Sequence, residues 1–145
     1  MPMKNICRVF KYPAKHVHAI VLNVNSYSEF VPWCLSSRIV KHVDSSRFFA
    51  EMEIGFGDFK EKYLSKVEAT DEIISAEAVN SDLFDYLQTR WRISPISENK
   101  AHVDFNINFR FRSQLYDKLT HAVFSNQSEN IVDSFDKRCK CLWSP

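Results

Sequence analysis

From Ser113 to Cys141 the chain carries neither glycine nor proline, and Leu115, Leu119, Ala122, Val123, Ile131, Phe135 and Cys139 recur there at helical spacing. The pattern predicts one helix, N-capped by Ser113, of about 40 Å at 1.5 Å per residue. The sequence just before it has a different period. Ala101 to Arg112 sets Val103, Phe105, Ile107, Phe109 and Phe111 against His102, Asp104, Asn106, Asn108 and Arg110. Strict alternation is a strand with one face buried. A sheet of such strands needs cover on its dry face, and the long helix is the one element with the reach to supply it.

The strands can be counted. Asn5 to Phe10 predicts the first, ended by Pro13. Val17, Ile20, Val21 and Val24 then predict an amphipathic helix over Ala14 to Asn25. Ser26 is placed to cap a second, shorter helix from Tyr27 to Phe30. Strands follow at Ser36–Val43 and at Arg47–Phe56, where Phe48, Ala50, Met52, Ile54 and Phe56 share a face. After a turn at Gly55–Asp58 come Phe59–Ala69, Ile73–Asn80 and Asp85–Ser94, then a turn at Pro95–Lys100. Consecutive strands with short connections make an antiparallel meander. The expected architecture is α+β, a curved antiparallel sheet wrapped around a long C-terminal helix in one domain over residues 1–145. A bent sheet and a straight rod do not match along their whole length, and hydrophobic ligands occupy gaps of that kind.

One short segment stands out beside that gap. Between Tyr27 and Ile39 the chain places Tyr27, Phe30, Val31, Trp33 and Leu35 around Pro32, which lacks an amide proton and stops any regular helix. Such a segment closes one end of a core or forms a lid on an apolar pocket, and spacing leaves both open. Both glycines of the chain, Gly55 and Gly57, flank Phe56. The inward apolar set is Met52, Ile54, Phe56, Trp91, Phe105 and Phe109. The same parity brings Glu61, Tyr63 and Ser65 inward unless a bulge near Glu61 turns them out. Asn126, Gln127 and Asn130 interrupt the helical stripe.

Composition narrows the function. Lys plus Arg number 19 against 18 Asp plus Glu, so no basic excess points to DNA. No apolar run approaches the roughly 20 residues of a membrane span. Residues 1–7 resemble neither a signal nor a transit peptide, and a cytoplasmic protein is expected. Cys7, Cys34, Cys139 and Cys141 read as free thiols with no matching zinc pair, and His16, His18, His42, His102 and His121 form no ligand pattern. Motifs of hydrolases, zinc proteases and phosphate loops are missing. Glu61 and Tyr63 are the candidates for acid–base work. Cys34, beside Trp33, reads as a packed thiol.

Two segments resemble a known family. Tyr27-Ser-Glu-Phe-Val-Pro-Trp-Cys-Leu-Ser-Ser-Arg-Ile39 is similar to the Y-P-x-F-(L/V)-P-W-C-x-x-(S/A)-R-(V/I) segment of the coenzyme-Q-binding START-like family. Leu87-Gln-Thr-Arg-Trp-Arg-Ile-Ser-Pro95 is similar to its L-x-x-x-W-x-F-x-P strand. Ser28 stands where the family has proline, and Ile93 replaces an aromatic. The family also takes in the ribosome-association toxin RatA and "oligoketide cyclase" proteins. The resemblance implies a helix-grip fold with an internal hydrophobic cavity, and non-catalytic binding of a polyprenyl quinone such as ubiquinone in support of respiration.

On that reading the ligand-binding residues are Phe30, Trp33, Met52, Ile54, Phe56, Tyr63, Trp91, Phe105, Phe109, Leu119, Val123 and Gln127. No catalytic residue, metal or cofactor other than the bound quinone or lipid is expected. Tyr63 or Gln127 would hold a quinone carbonyl. Each buried CH₂ of the tail would contribute roughly 0.8 kcal/mol. The lid and the Phe56 loop would form an entrance, with transient contact at the inner-membrane surface. The alternative implied is a RatA-like protein that binds the large ribosomal subunit and blocks subunit association, through Arg90, Arg92, Arg110 and Arg112 and through Lys137, Arg138 and Lys140. Against it, the turn at Pro95 would set Arg92 beside Asp104 as an ordinary cross-strand ion pair. An aromatic polyketide cyclase is the third reading.

Overall fold

A computed structural model describes the backbone of residues 3–56 and 59–143, and their side chains except those of 56, 59, 115–127 and 143. Seven strands form one antiparallel sheet in the order β1-β7-β6-β5-β4-β3-β2. They are β1 (Met3–Phe10), β2 (Cys34–His42), β3 (Arg47–Phe56), β4 (Phe59–Ala69), β5 (Ile73–Val79), β6 (Phe84–Ser97) and β7 (Lys100–Phe111). Helix α1 spans Ala14–Leu22 and α2 spans Gln114–Trp143. The 30 residues of α2 make a rod of about 45 Å. The meander and the terminal helix are as the periodicities predict. β1, from the far end of the sequence, pairs with β7.

Alternation on β3 and β7 translates directly into burial. Phe48, Ala50, Met52 and Ile54 are buried on one strand, and Val103, Phe105, Ile107, Phe109 and Phe111 on the other. Helix α1 buries Val17, Ile20 and Val21, one face at the spacing of a helix. It packs on β5, β6 and β7, and α2 packs on β1, β7 and α1. In the described part of the α2 stripe, Ile131 is half-buried while Phe135 and Cys139 are buried, each one turn after the last. Burial pushes the Cys139 thiol up to about 12, so it stays protonated, as a packed thiol should.

The structure differs from the sequence reading at several boundaries. The predicted helix over Ala14–Asn25 stops at Leu22, and a 3-10 helix runs from Val24 to Glu29. Ser26 lies inside that helix and does not cap it. Its Oγ accepts a hydrogen bond from Asn23 Nδ2 at 3.1 Å. Strand β6 continues through Pro95 to Ser97. Its neighbour β5 reaches only as far as Arg92, and past that point a strand with one partner tolerates a residue without an amide proton. Asp104 does lie opposite Arg92, but the expected ion pair does not form, because the carboxylate turns towards β1. Asn130 is exposed, so it does not interrupt the buried stripe; the buried polar group of the described part of α2 is Ser128.

β2 loses the regularity of its neighbours. Its pairing with β3 shifts between Cys34 and Ser36 and again between Ile39 and Lys41. The extra residues are Leu35 and Val40, each 45 % exposed. These bulges account for two apolar side chains facing water on an edge strand, and they twist that edge away from further pairing. The 3-10 helix covers it. Asn25 Oδ1 accepts the Ile39 amide at 2.8 Å, and Ser37 Oγ accepts the Ser28 amide at 3.3 Å.

Phe135 ties these layers together, with ring centroids 4.6 Å from Trp91, 5.0 Å from Phe30 and 5.3 Å from Tyr27. Phe135→Ala should cost roughly 3–5 kcal/mol in urea unfolding, as expected for a buried ring whose cavity cannot collapse. A loss below about 1 kcal/mol would mean that the lid and helix are not held by this contact.

Candidate functional site: an apolar cavity under an aromatic lid

The grip of sheet and helix is incomplete. Between them lies a cavity of about 140 Å³ whose walls come from the lid, the sheet and α2. Val31, Pro32 and Trp33 border it from the lid, Met52 and Ile54 from β3, Tyr63 and Ser65 from β4, Trp91 from β6, Phe105 from β7, and Ile131 and Phe135 from α2.

The lid is shaped by a tight turn. The Cys34 amide donates to the Val31 carbonyl at 3.2 Å, which puts Pro32 and Trp33 at the two central positions. Proline supplies the fixed φ of the first. Trp33 has φ 63°, the left-handed conformation that the second position of a type II turn requires and that glycine normally fills. For a tryptophan this costs roughly 1–2 kcal/mol. The cost is met by what the turn achieves. The Trp33 carbonyl accepts the amide of buried Gly55 at 3.0 Å, which ties the lid to the end of β3, and the side chain lies against the cavity. Beside it, the Tyr27 hydroxyl donates to the Val21 carbonyl, so this phenol is already satisfied.

Tyr63 is different. The β3–β4 register runs without a break and sets Met52 opposite Tyr63, Ala50 opposite Ser65 and Ile54 opposite Glu61. There is no bulge at Glu61, and the inward parity holds. Tyr63 meets the Phe84 ring edge-on at 5.7 Å, and its hydroxyl makes no hydrogen bond to a described residue. Ser65, buried two residues on, is in the same position. Burial, and after it the nearby Cys34, pushes the Tyr63 phenol above its ordinary range. Burial does the same to the Cys34 thiol, with a hydrogen bond to Ser37 working against it. Both groups are therefore neutral at physiological pH. What the cavity offers is an apolar wall, aromatic faces and neutral hydroxyl donors on β4.

The cavity gathers Trp33, Met52, Ile54, Tyr63, Trp91 and Phe105 of the residues singled out from sequence. Two others lie elsewhere among the described residues. Phe30 packs behind the lid on Phe135, under the Arg138 guanidinium at 5.1 Å from its centroid. Phe109 is buried edge-on against Phe111 at 5.6 Å. Glu61 does not line the cavity either. The side chains of Phe56, Leu119, Val123 and Gln127 lie outside the described residues. Ser65, Ile131 and Phe135 are wall residues that the site reading did not include. The parity of β4 and the helical stripe already carried that signal.

Of the cations considered for a nucleic-acid surface, Arg90 and Arg92 are exposed on the outer face. Arg110 pairs with Asp85 at 3.9 Å, Arg112 donates to the Ser81 carbonyl at 2.7 Å, and Arg138 reaches Glu29 at 3.4 Å.

Residues 10–136 match the model of the family described as polyketide cyclase / dehydrase and lipid transport. This chain belongs to that family. It is 33% identical over 143 residues to the mitochondrial Coenzyme Q-binding protein COQ10 of Dictyostelium discoideum, covering 97% of this chain and 70% of that protein. It is 30% identical over 138 residues to the Ribosome association toxin RatA of Rickettsia prowazekii, covering 92% of each. The crystal structure of the Zhui aromatase/cyclase from Streptomyces superposes with a TM-score of 0.86 at 10% identity, over 99% of this chain and 96% of that one. That likeness establishes the helix-grip fold and nothing about chemistry. No helix among the described residues is long and apolar enough to cross a membrane.

Two outcomes are expected of the site itself. Trp33→Gly should be more stable than Trp33→Ala by roughly 1 kcal/mol in urea unfolding, the reverse of the usual order, because glycine takes positive φ freely. The opposite order would show that the turn is not strained. Tyr27 and Tyr63, whose phenols are both raised by burial, should add no phenolate absorbance near their ordinary value of 10 while the protein is folded. The folded state holds these protons more tightly than the unfolded chain, so stability is full below pH 10 and falls as pH rises beyond it. Ionisation of all five tyrosines together near pH 10 would contradict the burial.

Proposed function

We propose that this chain binds a hydrophobic small molecule with a carbonyl-bearing ring, an isoprenoid quinone above all, and holds it without chemical change. The observation that carries the reading is the Tyr63 hydroxyl, a protonated donor in an apolar cavity with no hydrogen bond to a described residue. A quinone carbonyl is the acceptor such a donor lacks. Trp91 and Trp33 supply faces for the ring, and Ser65 offers a second donor two residues along β4. The likeness to a protein named as coenzyme Q-binding supports the same ligand class.

Cavity size bears on how such a ligand would sit. A dry cavity of about 150 Å³ accepts a benzene molecule, and this one is close to that, at about 140 Å³. It suits the ring. A polyprenyl tail needs more room, so it leaves past the lid or enters as the lid moves. Transient contact with a membrane surface would follow from delivering such a tail. The polar groups fit a binder better than a cyclase, because Glu61, the acid–base candidate, does not line the cavity and Tyr63 is held neutral.

Mass spectrometry of an organic extract of the purified protein tests this. A polyprenyl quinone should co-purify near stoichiometrically, and the Trp33→Ala, Trp91→Ala double variant should lose it. Tyr63→Phe should keep the fold and weaken quinone affinity by roughly 2–10-fold, the net worth of one hydrogen bond. An empty extract together with salt-sensitive cosedimentation with large ribosomal subunits would overturn the reading. It would favour the association with ribosomes named for the Rickettsia relative, with exposed Arg90 and Arg92 as the first residues to change.

A further inference from the structure

The outer face of the sheet carries a second cluster, away from the cavity. The β1–β7 register sets Cys7 directly opposite Asp104 and Val9 opposite His102. Residues two apart on one strand share a face, so Cys7, Asp104 and His102 come together on the outer side. Cys7 Sγ lies 2.6 Å from Asp104 Oδ1, and His102 Nδ1 lies 3.8 Å from Asp104 Oδ2. One ligand atom from each of the three falls within 4.8 Å of the other two. The separation of 97 residues between Cys7 and Asp104 hides this set from any spacing rule, and it is why the sequence showed no ligand pattern.

Asp104 has a cation available elsewhere. Arg92 faces it across β6–β7, and that pairing is unused, while the carboxylate turns to the thiol and the imidazole. The result is a sulfur, a nitrogen and an oxygen donor converging on paired strands, whose backbones fix their spacing. Cys7 is exposed, and the His102 and Asp104 side chains are 44% and 31% exposed. A hydrated ion can therefore reach them and keep a water. A tetrahedral zinc holds ligand atoms about 3.2–3.8 Å apart, with bonds of about 2.0–2.3 Å. The Cys7–Asp104 and His102–Asp104 distances, 2.6 and 3.8 Å, lie below and at the top of that range.

We propose that Cys7, His102 and Asp104 form a binding site for a borderline divalent transition-metal ion, zinc in the first place, with the fourth position open. A thiolate with an imidazole selects such ions over calcium or magnesium, which prefer oxygen alone. The site bridges β1, an edge strand from the start of the chain, to β7, its neighbour in the sheet. A bound ion would pin that edge.

Cobalt(II) titration of the metal-free full chain tests the site, because cobalt bound to a thiolate gives a charge-transfer absorption. The expected result is one cobalt per chain, displaced by zinc, with the band abolished in Cys7→Ser. His102→Ala should weaken binding by roughly tenfold or more, since even outer-shell partners of a metal ligand are worth that much. Cys141→Ser, which removes the other exposed thiol, should leave the band intact. Circular dichroism of each variant separates lost binding from lost fold. Absence of a thiolate–cobalt band in the folded protein would overturn the proposal, as would a band that survives Cys7→Ser.

Discussion

The contact of Phe135 with Tyr27, Phe30 and Trp91 is the one on which the rest of this structure depends. Three rings from two separate parts of the chain, the lid segment and β6, meet a fourth on the helix. Without it the sheet would still pair, since its ladder is backbone hydrogen bonding between neighbouring strands. The helix would still have an apolar stripe. What would be missing is the relation between them, and with it the cavity. Trp91 fixes how far the helix stands off the sheet, and Tyr27 with Phe30 fixes where the lid begins. The space left under Pro32 and Trp33 is a remainder set by those distances.

That remainder is chemically simple, and its simplicity is informative. Burial keeps the phenols and the thiol at the cavity neutral, and the one carboxylate among the described lining residues, Glu77, is exposed. Tyr27 spends its hydroxyl on the chain itself, whereas Tyr63 does not. Two half-buried tyrosines thus differ, one bonded to the chain beside the lid and one lining the cavity without such a bond to a described residue.

Much of the fold was legible because its signals are local. Alternation along Val103–Phe111 and Phe48–Phe56 is enforced by one wet face and one dry face, so it can be read without a partner. The helical stripe through Ile131, Phe135 and Cys139 is of the same kind. Part of the site followed, since residues of known parity must face the helix. What was not legible depends on things that a strand does not know about itself. The bulges at Leu35 and Val40 come from fitting an edge strand to its one neighbour. The left-handed turn at Trp33 shows only as a proline before it. Phe109 has the same parity as Phe105, and only the path of the helix decides which of them meets a cavity. Arg92 and Asp104 were correctly placed opposite each other, yet the sequence could not say that Cys7 would compete for the carboxylate.

The far end of α2 has one more consequence. Arg138 lies across the face of Phe30 and reaches Glu29, just ahead of the Pro32 turn. Its partner carboxylate stands in water, with the Glu29 side chain 60% exposed. Exposed pairs of this kind are worth little and weaken as ions screen them. Here a weak surface attraction sits beside the turn that borders a largely apolar cavity. Ionic strength therefore bears on how firmly the lid is held to α2, although the cavity wall beneath it is mostly apolar.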